Sequence, residues 1–265
     1  MSTAPIVIFD SGIGGLTVVQ AVREALPFEN IIYLGDTARV PYGTKSAATI
    51  ERYALQAGEL LKKFHPKLMI VACNTASAYG LDPLRLQCSF PVLGVIESGA
   101  KAAQIYGGPI AILGTRATVA SQVYPTVLSQ LNPSIETFAL ACPLLVSLAE
   151  EGWWEDPITE EICRRYISEI PSSIKTVILG CTHYPVLLPI FKRIRPDLVW
   201  VDSGAPLSRE VKNILSQQAA LNNSRETGAL RLLVTDQNSR LQELASKFLG
   251  EPAPSVELIN LEKVF

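Results

Sequence analysis

The chain has 265 residues, 48% of them hydrophobic and 18% charged, with a formal net charge of −2. That length suggests one large domain or two small ones, and the composition fills a sizeable core and excludes a disordered chain. The near-neutral charge offers no basic field for nucleic acid, and no apolar run reaches the roughly 18 residues of a membrane span.

Met1 to Pro5 runs straight into the first apolar stretch, which leaves no room for a signal peptide. Five cysteines, an odd number without CxxC or zinc-finger spacing, fit free thiols in a reducing cytoplasm and predict no metal site. Ile6-Val7-Ile8-Phe9 predicts a short buried strand, followed by Asp10-Ser11-Gly12-Ile13-Gly14-Gly15 and a helix over 16–26 that stops before Pro27. Glycines at a strand-to-helix turn let the backbone approach a ligand, although GxGG is neither a dinucleotide fingerprint nor a phosphate loop. A strand-end aspartate also opens one class of phosphatase, but Gly12 stands where such a site needs its second acid. Ile31-Ile32-Tyr33-Leu34 predicts the second strand, and the loop from Gly35 to Gly43 offers the Tyr42 hydroxyl and Gly43 N–H as ligand donors. A helix over 46–64 follows, capped by Ser46, with His65 in a solvated loop before Pro66.

Residues 68–72 predict the strand that delivers Cys73, with Asn74 and Thr75 capping the next helix. Residues 91–96 predict another strand, and Glu97-Ser98-Gly99 a domain boundary. The plan then recurs. Ile110-Ala111-Ile112-Leu113 ends in Gly114-Thr115, and 136–140 predicts a strand. Cys142-Pro143-Leu144 opens an apolar helix ending near Glu150-Glu151-Gly152, and the strand over 176–179 leads into Gly180-Cys181-Thr182-His183. Trp153 and Trp154 belong at the domain edge or cleft mouth. A strand over 198–201 ends at a second boundary, Asp202-Ser203-Gly204, and a helix from Leu207, a strand over 230–234 and a helix near 239–249 complete the chain.

Asp10 and Gly114 lie 104 residues apart, and Cys73 and Cys181 lie 108 apart. Two offsets that nearly agree predict duplicated halves. The fold class is α/β: two pseudo-symmetric doubly wound domains with mainly parallel sheets and an active site in the cleft between them. The first domain is expected over 1–97 plus 207–265, carrying Cys73, and the second over 98–206, carrying Cys181. Cys88, Cys142 and Cys163 read as small apolar core residues. Cys73 and Cys181 differ, because each ends a strand and precedes polar helix-start residues. There the helix dipole is expected to stabilise a thiolate and lower the thiol pKa.

These stretches together resemble the aspartate/glutamate racemase superfamily, and within it the glutamate racemases. The matching pieces run in order from Asp10-Ser11-Gly12-Ile13-Gly14-Gly15 through Pro41-Tyr42-Gly43, Cys73-Asn74-Thr75-Ala76 and Gly114-Thr115 to Cys181-Thr182-His183-Tyr184-Pro185. The resemblance implies that Cys73 deprotonates D-glutamate and Cys181 deprotonates L-glutamate, without a cofactor, with Asp10 and His183 assisting. It implies substrate contacts from Asp10-Ser11, Tyr42-Gly43, Asn74-Thr75, Thr115 and Thr182-His183. It also implies a small-molecule substrate, a homodimer, a cytoplasmic location and a supply of D-glutamate for peptidoglycan. On physical grounds Asp10 also reads as a helix cap and His183 as a packed imidazole. A lysine for pyridoxal phosphate would have to end in the cleft, and Lys45, Lys67, Lys101 and Lys175 show no such placement. Other readings are an aspartate racemase or other two-cysteine isomerase, and a Cys181–His183 hydrolase that leaves Cys73 without a role.

Overall fold

Residues 2–261 are described by a computed structural model. The first half runs β1 (Ile6–Asp10), α1 (Leu16–Ala25), β2 (Ile31–Gly35), α2 (Ala47–Lys62), β3 (Leu68–Val71), α3 (Asn74–Gln87) and β4 (Val92–Gly94). The second runs α4 (Val95–Gln104), β5 (Ile110–Gly114), α5 (Arg116–Ala120), α6 (Val123–Leu131), β6 (Thr137–Ala141), α7 (Leu144–Glu150) and α8 (Pro157–Ser168), then β7 (Thr176–Gly180), α9 (Leu188–Ile194) and β8 (Val199–Val201). The tail adds α10 (Gly204–Gln217), β9 (Leu230–Val234), α11 (Leu241–Leu249) and β10 (Val256–Leu258).

Two sheets result, one ordered β10-β9-β2-β1-β3-β4 and the other β6-β5-β7-β8, and every strand pair is parallel. The order β2-β1-β3-β4 in the first sheet recurs as β6-β5-β7-β8 in the second, so the two halves share one winding. The repeat carries the register as well. Phe9 pairs with Leu34 and Val71, while Leu113 pairs with Leu140 and Leu179.

Continuous apolar runs fit strands covered on both faces. Alternate residues of β1 point into different cores, Ile6 and Ile8 toward α1, α10 and α11, and Val7 and Phe9 toward α2 and α3. In β5, Ala111 and Leu113 face α7, α8 and α9, while Ile110 and Ile112 face α4 and α6. Each such side chain, removed from water, contributes about 1.5–3 kcal/mol before entropy is subtracted. Cys142 and Cys163, the latter on α8, are buried in one core and Cys88 is half-buried, as small apolar residues would be.

The structure departs from the sequence reading in four places. The strand expected over 91–96 stops at Gly94, because Val95 already starts α4, and Glu97-Ser98-Gly99 lies in the first turns of that helix. The helix expected from Leu207 starts at Gly204, where the Asp202 carboxylate accepts the Gly204 N–H at 2.8 Å. The unforeseen β10 pairs with β9 and extends the edge of the first sheet; half-buried Val256 with exposed Glu257 and Leu258 made no apolar run to signal it. Finally, Cys181 is followed by a 3-10 turn over Tyr184–Leu187, with the α-helix delayed to Leu188. Among the described residues no helix is long and apolar enough to cross a membrane.

Candidate active site

Cys73 lies two residues beyond Val71, and Cys181 two beyond Leu179, the matched positions of β3 and β7. Both sulfur-bearing side chains line one cavity of about 520 Å³ at the strand ends of both sheets. Ser11, Tyr42, Gly43, Asn74, Thr75, Thr115, Thr182 and His183 line it too, so ten of the eleven residues expected at the site meet there. Asp10 is the exception. It is fully buried behind the wall, where its carboxylate accepts the Gly12 N–H at 2.9 Å and the Thr182 hydroxyl at 3.3 Å. That second bond ties the end of β1 to the turn after β7. Burial raises the Asp10 pKa against the opposing charge of His183.

The two thiols have different surroundings. Cys73, expected to precede the cap of α3, is itself the cap: its Sγ accepts the Ala76 N–H at 3.4 Å, and Asn74 and Thr75 occupy the first turn. Its thiol also donates to Ser11 Oγ at 3.4 Å. The helix terminus does not lower this thiol. Burial, followed by the Asp10 carboxylate, pushes the Cys73 pKa up to about 12, against smaller pulls from Ser11 and the Ala76 N–H. Desolvation disfavours the charged form more than one turn of helix can recover. Cys181 has no α-helix start beside it, and its Sγ instead faces His183 Nδ1 at 3.7 Å.

His183 is held between two partners. Its Nε2 lies 3.1 Å from Glu150 Oε1, a contact the sequence reading did not foresee. Burial opposes the imidazolium, but the hydrogen bonds to Cys181 and Glu150 and their negative charges outweigh it, and the pKa stands well above 6.5. Glu150 responds in kind. Burial pushes its carboxyl up, the His183 bond and charge pull it down, and the balance lies below its usual value. Behind the imidazole, Phe248 packs edge-on at 5.6 Å and Trp154 edge-on to Phe248 at 5.2 Å, while Trp153 is exposed. His65, by contrast, is exposed in its loop.

Tyr42 lines the cavity too. Its hydroxyl donates to the buried Asp36 carboxylate, which also holds Arg39 at 2.6 Å and the Thr235 hydroxyl at 2.9 Å. The hydroxyl's donated bond therefore supports the loop itself. Asn74 Oδ1 accepts the Tyr124 hydroxyl at 2.7 Å, which fixes the amide. Thr75, Thr115 and Thr118 share a triangle of hydroxyl contacts at 2.9, 3.2 and 3.0 Å across the two halves. The helix-opening segment expected after Cys142 supplies further lining through Pro143, Leu144, Val146 and Ser147, and Arg116 and Tyr166 complete one side.

One glycine of the first turn is explained by this packing. A Cβ on Gly14 would stand 2.5 Å from His183 Cε1 and Nδ1 and 2.6 Å from Thr182 Oγ1. Gly14→Ala is expected to displace the imidazole, costing about 1–3 kcal/mol of stability. kcat should fall more than KM rises, and thermal melting with steady-state kinetics on the same sample checks both.

Two all-parallel sheets, each delivering a cysteine from a matched strand end to one cavity, are the arrangement a two-base racemase needs. Residues 15–210 match the Asp/Glu/Hydantoin racemase family, and the chain belongs to that family and is an isomerase. Within the family it lies with the glutamate racemases. It is 44% identical to that of Chlorobaculum tepidum, over 98% of this chain and 97% of the relative. The structure of glutamate racemase from Francisella tularensis, in complex with D-glutamate, superposes with a TM-score of 0.94 at 35% identity, over 99% of this chain and 100% of that one. The Thermus thermophilus glutamate racemase, solved with β-chloro-D-alanine, gives 0.89 at 41% identity, over 99% of both chains. Neither an aspartate racemase nor a cysteine hydrolase is favoured by these relatives.

Proposed function

We propose that the protein interconverts L- and D-glutamate by a two-base proton transfer at the α-carbon, with Cys181 serving L-glutamate and Cys73 serving D-glutamate. The observation that carries the mechanism is the contrast between two thiols on one cavity, one beside an imidazolium and one held as a thiol. In the L-to-D direction the Cys181 sulfur takes the α-proton, and the electron pair of the broken C–H bond delocalises into the α-carboxylate. The Cys73 thiol then gives its proton to the opposite face. Ser11, Asn74, Thr75 and Thr182 supply neutral hydroxyl and amide groups for the carboxylate and ammonium, and such contacts gain strength as charge develops. His183 donates from Nδ1 toward Cys181 while Glu150 holds Nε2. Asp10 acts through Thr182 and through its charge on Cys73.

One turnover leaves the two sulfur atoms with exchanged protonation. A charge left on Cys73 is buried beside Asp10, so return of a proton there is favourable. We place the first wall on residues 1–97 with 207–265 and the second on 98–206. The D-glutamate formed would feed peptidoglycan synthesis.

Incubation with L-glutamate in D2O tests the reading. The expected result is decay of the circular dichroism signal to zero, with deuterium at the α-carbon of the D-glutamate formed. Unchanged optical activity and no α-deuteration would sink it.

A further inference from the structure

We propose that Arg116 is the charge that draws the distal carboxylate of the substrate to the cavity mouth, which rests on the glutamate reading above and extends it to the substrate's side chain. Arg116 follows Thr115 at the start of α5, is exposed to solvent and lines the same cavity as both thiols. Apart from the thiols and the tyrosines, the other ionisable acid or base among the lining side chains is the Glu150–His183 pair, whose members engage each other at 3.1 Å. That pair contributes no net charge. Among the described residues no hydrogen bond or ion pair engages the Arg116 guanidinium. Of the other arginines of this half, Arg164 and Arg193 pair with Glu160 and Arg195 with Asp197, and Arg165 does not line the cavity. Arg116 and Tyr166 line the same cavity, Arg116 from its solvent-exposed edge.

Glutamate carries two carboxylates and one ammonium, hence one net negative charge. Its α-carbon has to stand between the two sulfur atoms, where Ser11, Asn74, Thr75 and Thr182 offer neutral hydroxyls and amides and the His183 imidazolium is already held by Cys181 and Glu150. The second carboxylate lies two methylenes away and is the group left without a cation. A long, uncommitted guanidinium at the rim matches it in charge, in reach and in its paired N–H geometry. An exposed cation at a cleft mouth also raises the encounter rate of an anion, an effect that salt screens within about 10 Å at 0.1 M ionic strength.

Arg116→Gln and Arg116→Lys, assayed with wild type against both enantiomers at low and at 0.5 M salt, decide the point. In Arg116→Gln, KM is expected to rise roughly five- to twenty-fold with kcat within about twofold, as the loss of one charge-assisted contact predicts. The steep fall of wild-type kcat/KM with salt should flatten in the same variant, and Arg116→Lys should recover most of both. A residue of merely structural importance would move kcat or melting temperature and leave the salt slope alone. Wild-type KM and salt dependence in Arg116→Gln, with wild type racemising glutamate, would overturn the role of Arg116 and leave the reaction standing. A wild type inert toward both enantiomers would overturn the reaction and this role with it.

Discussion

Replacing either Cys73 or Cys181 by alanine is expected to lower kcat/KM by at least about 10³-fold, since each positioned acid–base group is worth roughly 10²–10⁴ and neither has a stand-in on its face. The loss must be the same for both enantiomers. L- and D-glutamate are mirror images, so the equilibrium constant is one, and any variant has equal kcat/KM in the two directions. What separates the variants is isotope exchange. Cys73→Ala retains Cys181 and should exchange the α-proton of L-glutamate with D2O while forming no D-glutamate. Cys181→Ala should do the reverse with D-glutamate. Substantial inversion by either variant would exclude a two-base scheme.

Unfolding is the competing explanation for such losses, and the structure bounds it. Cys73→Ala removes the sulfur that accepts the Ala76 N–H at the start of α3. A lost helix cap costs about 1 kcal/mol and a void the size of one sulfur costs about as much. Cys181→Ala frees His183 Nδ1 but touches no helix end. Both variants should therefore melt within several degrees of wild type while losing three orders of magnitude in rate. Melting curves recorded beside the kinetics distinguish the two effects.

The legible part of this protein was the part written locally in the chain. Buried parallel strands are unbroken apolar runs, so β1, β3, β5 and β7 stand out, and each cysteine is visible as the residue two past such a run. The matched offsets betrayed the repeated winding because both halves keep the same register. What stayed hidden depends on contacts far apart in sequence. Glu150 pairs with His183 across 33 residues, through the packing of α7 against the turn after β7. One signal did exist: a glutamate in the last turn of a helix opposes the dipole and asks for a compensating partner. The bond from the Tyr42 hydroxyl to Asp36 likewise depends on how the loop between them folds. The Cys73 pKa went the other way from the dipole argument, since the dipole is local while burial is a property of the assembled cleft.

Glu150 is the second residue whose change should have a large effect. Its carboxylate holds the proton on His183, so Glu150→Gln is expected to cost about tenfold or more in kcat/KM, and His183→Asn about 10²-fold or more, again equally for the two enantiomers. The pH profile identifies the cause. With the His183 pKa well above 6.5, the imidazolium persists through neutral pH, and wild-type activity should decline only as pH climbs through that raised value. Removing the Glu150 charge lowers the His183 pKa, so the alkaline limb of Glu150→Gln should move to lower pH. In His183→Asn the limb contributed by the imidazole should vanish. Stability follows the same signs. His183 has a folded pKa above its unfolded one, so its contribution is complete below about 6.5 and is lost as pH rises through the folded value. Glu150 has a folded pKa below its unfolded one, so its contribution is complete above that unfolded value and is lost as pH falls through the folded one. Between those two limits wild type should melt at a higher temperature than Glu150→Gln, with the gap closing at both ends of the range. A Glu150→Gln variant with an unshifted alkaline limb would show that Glu150 only packs against the imidazole and does not set its charge.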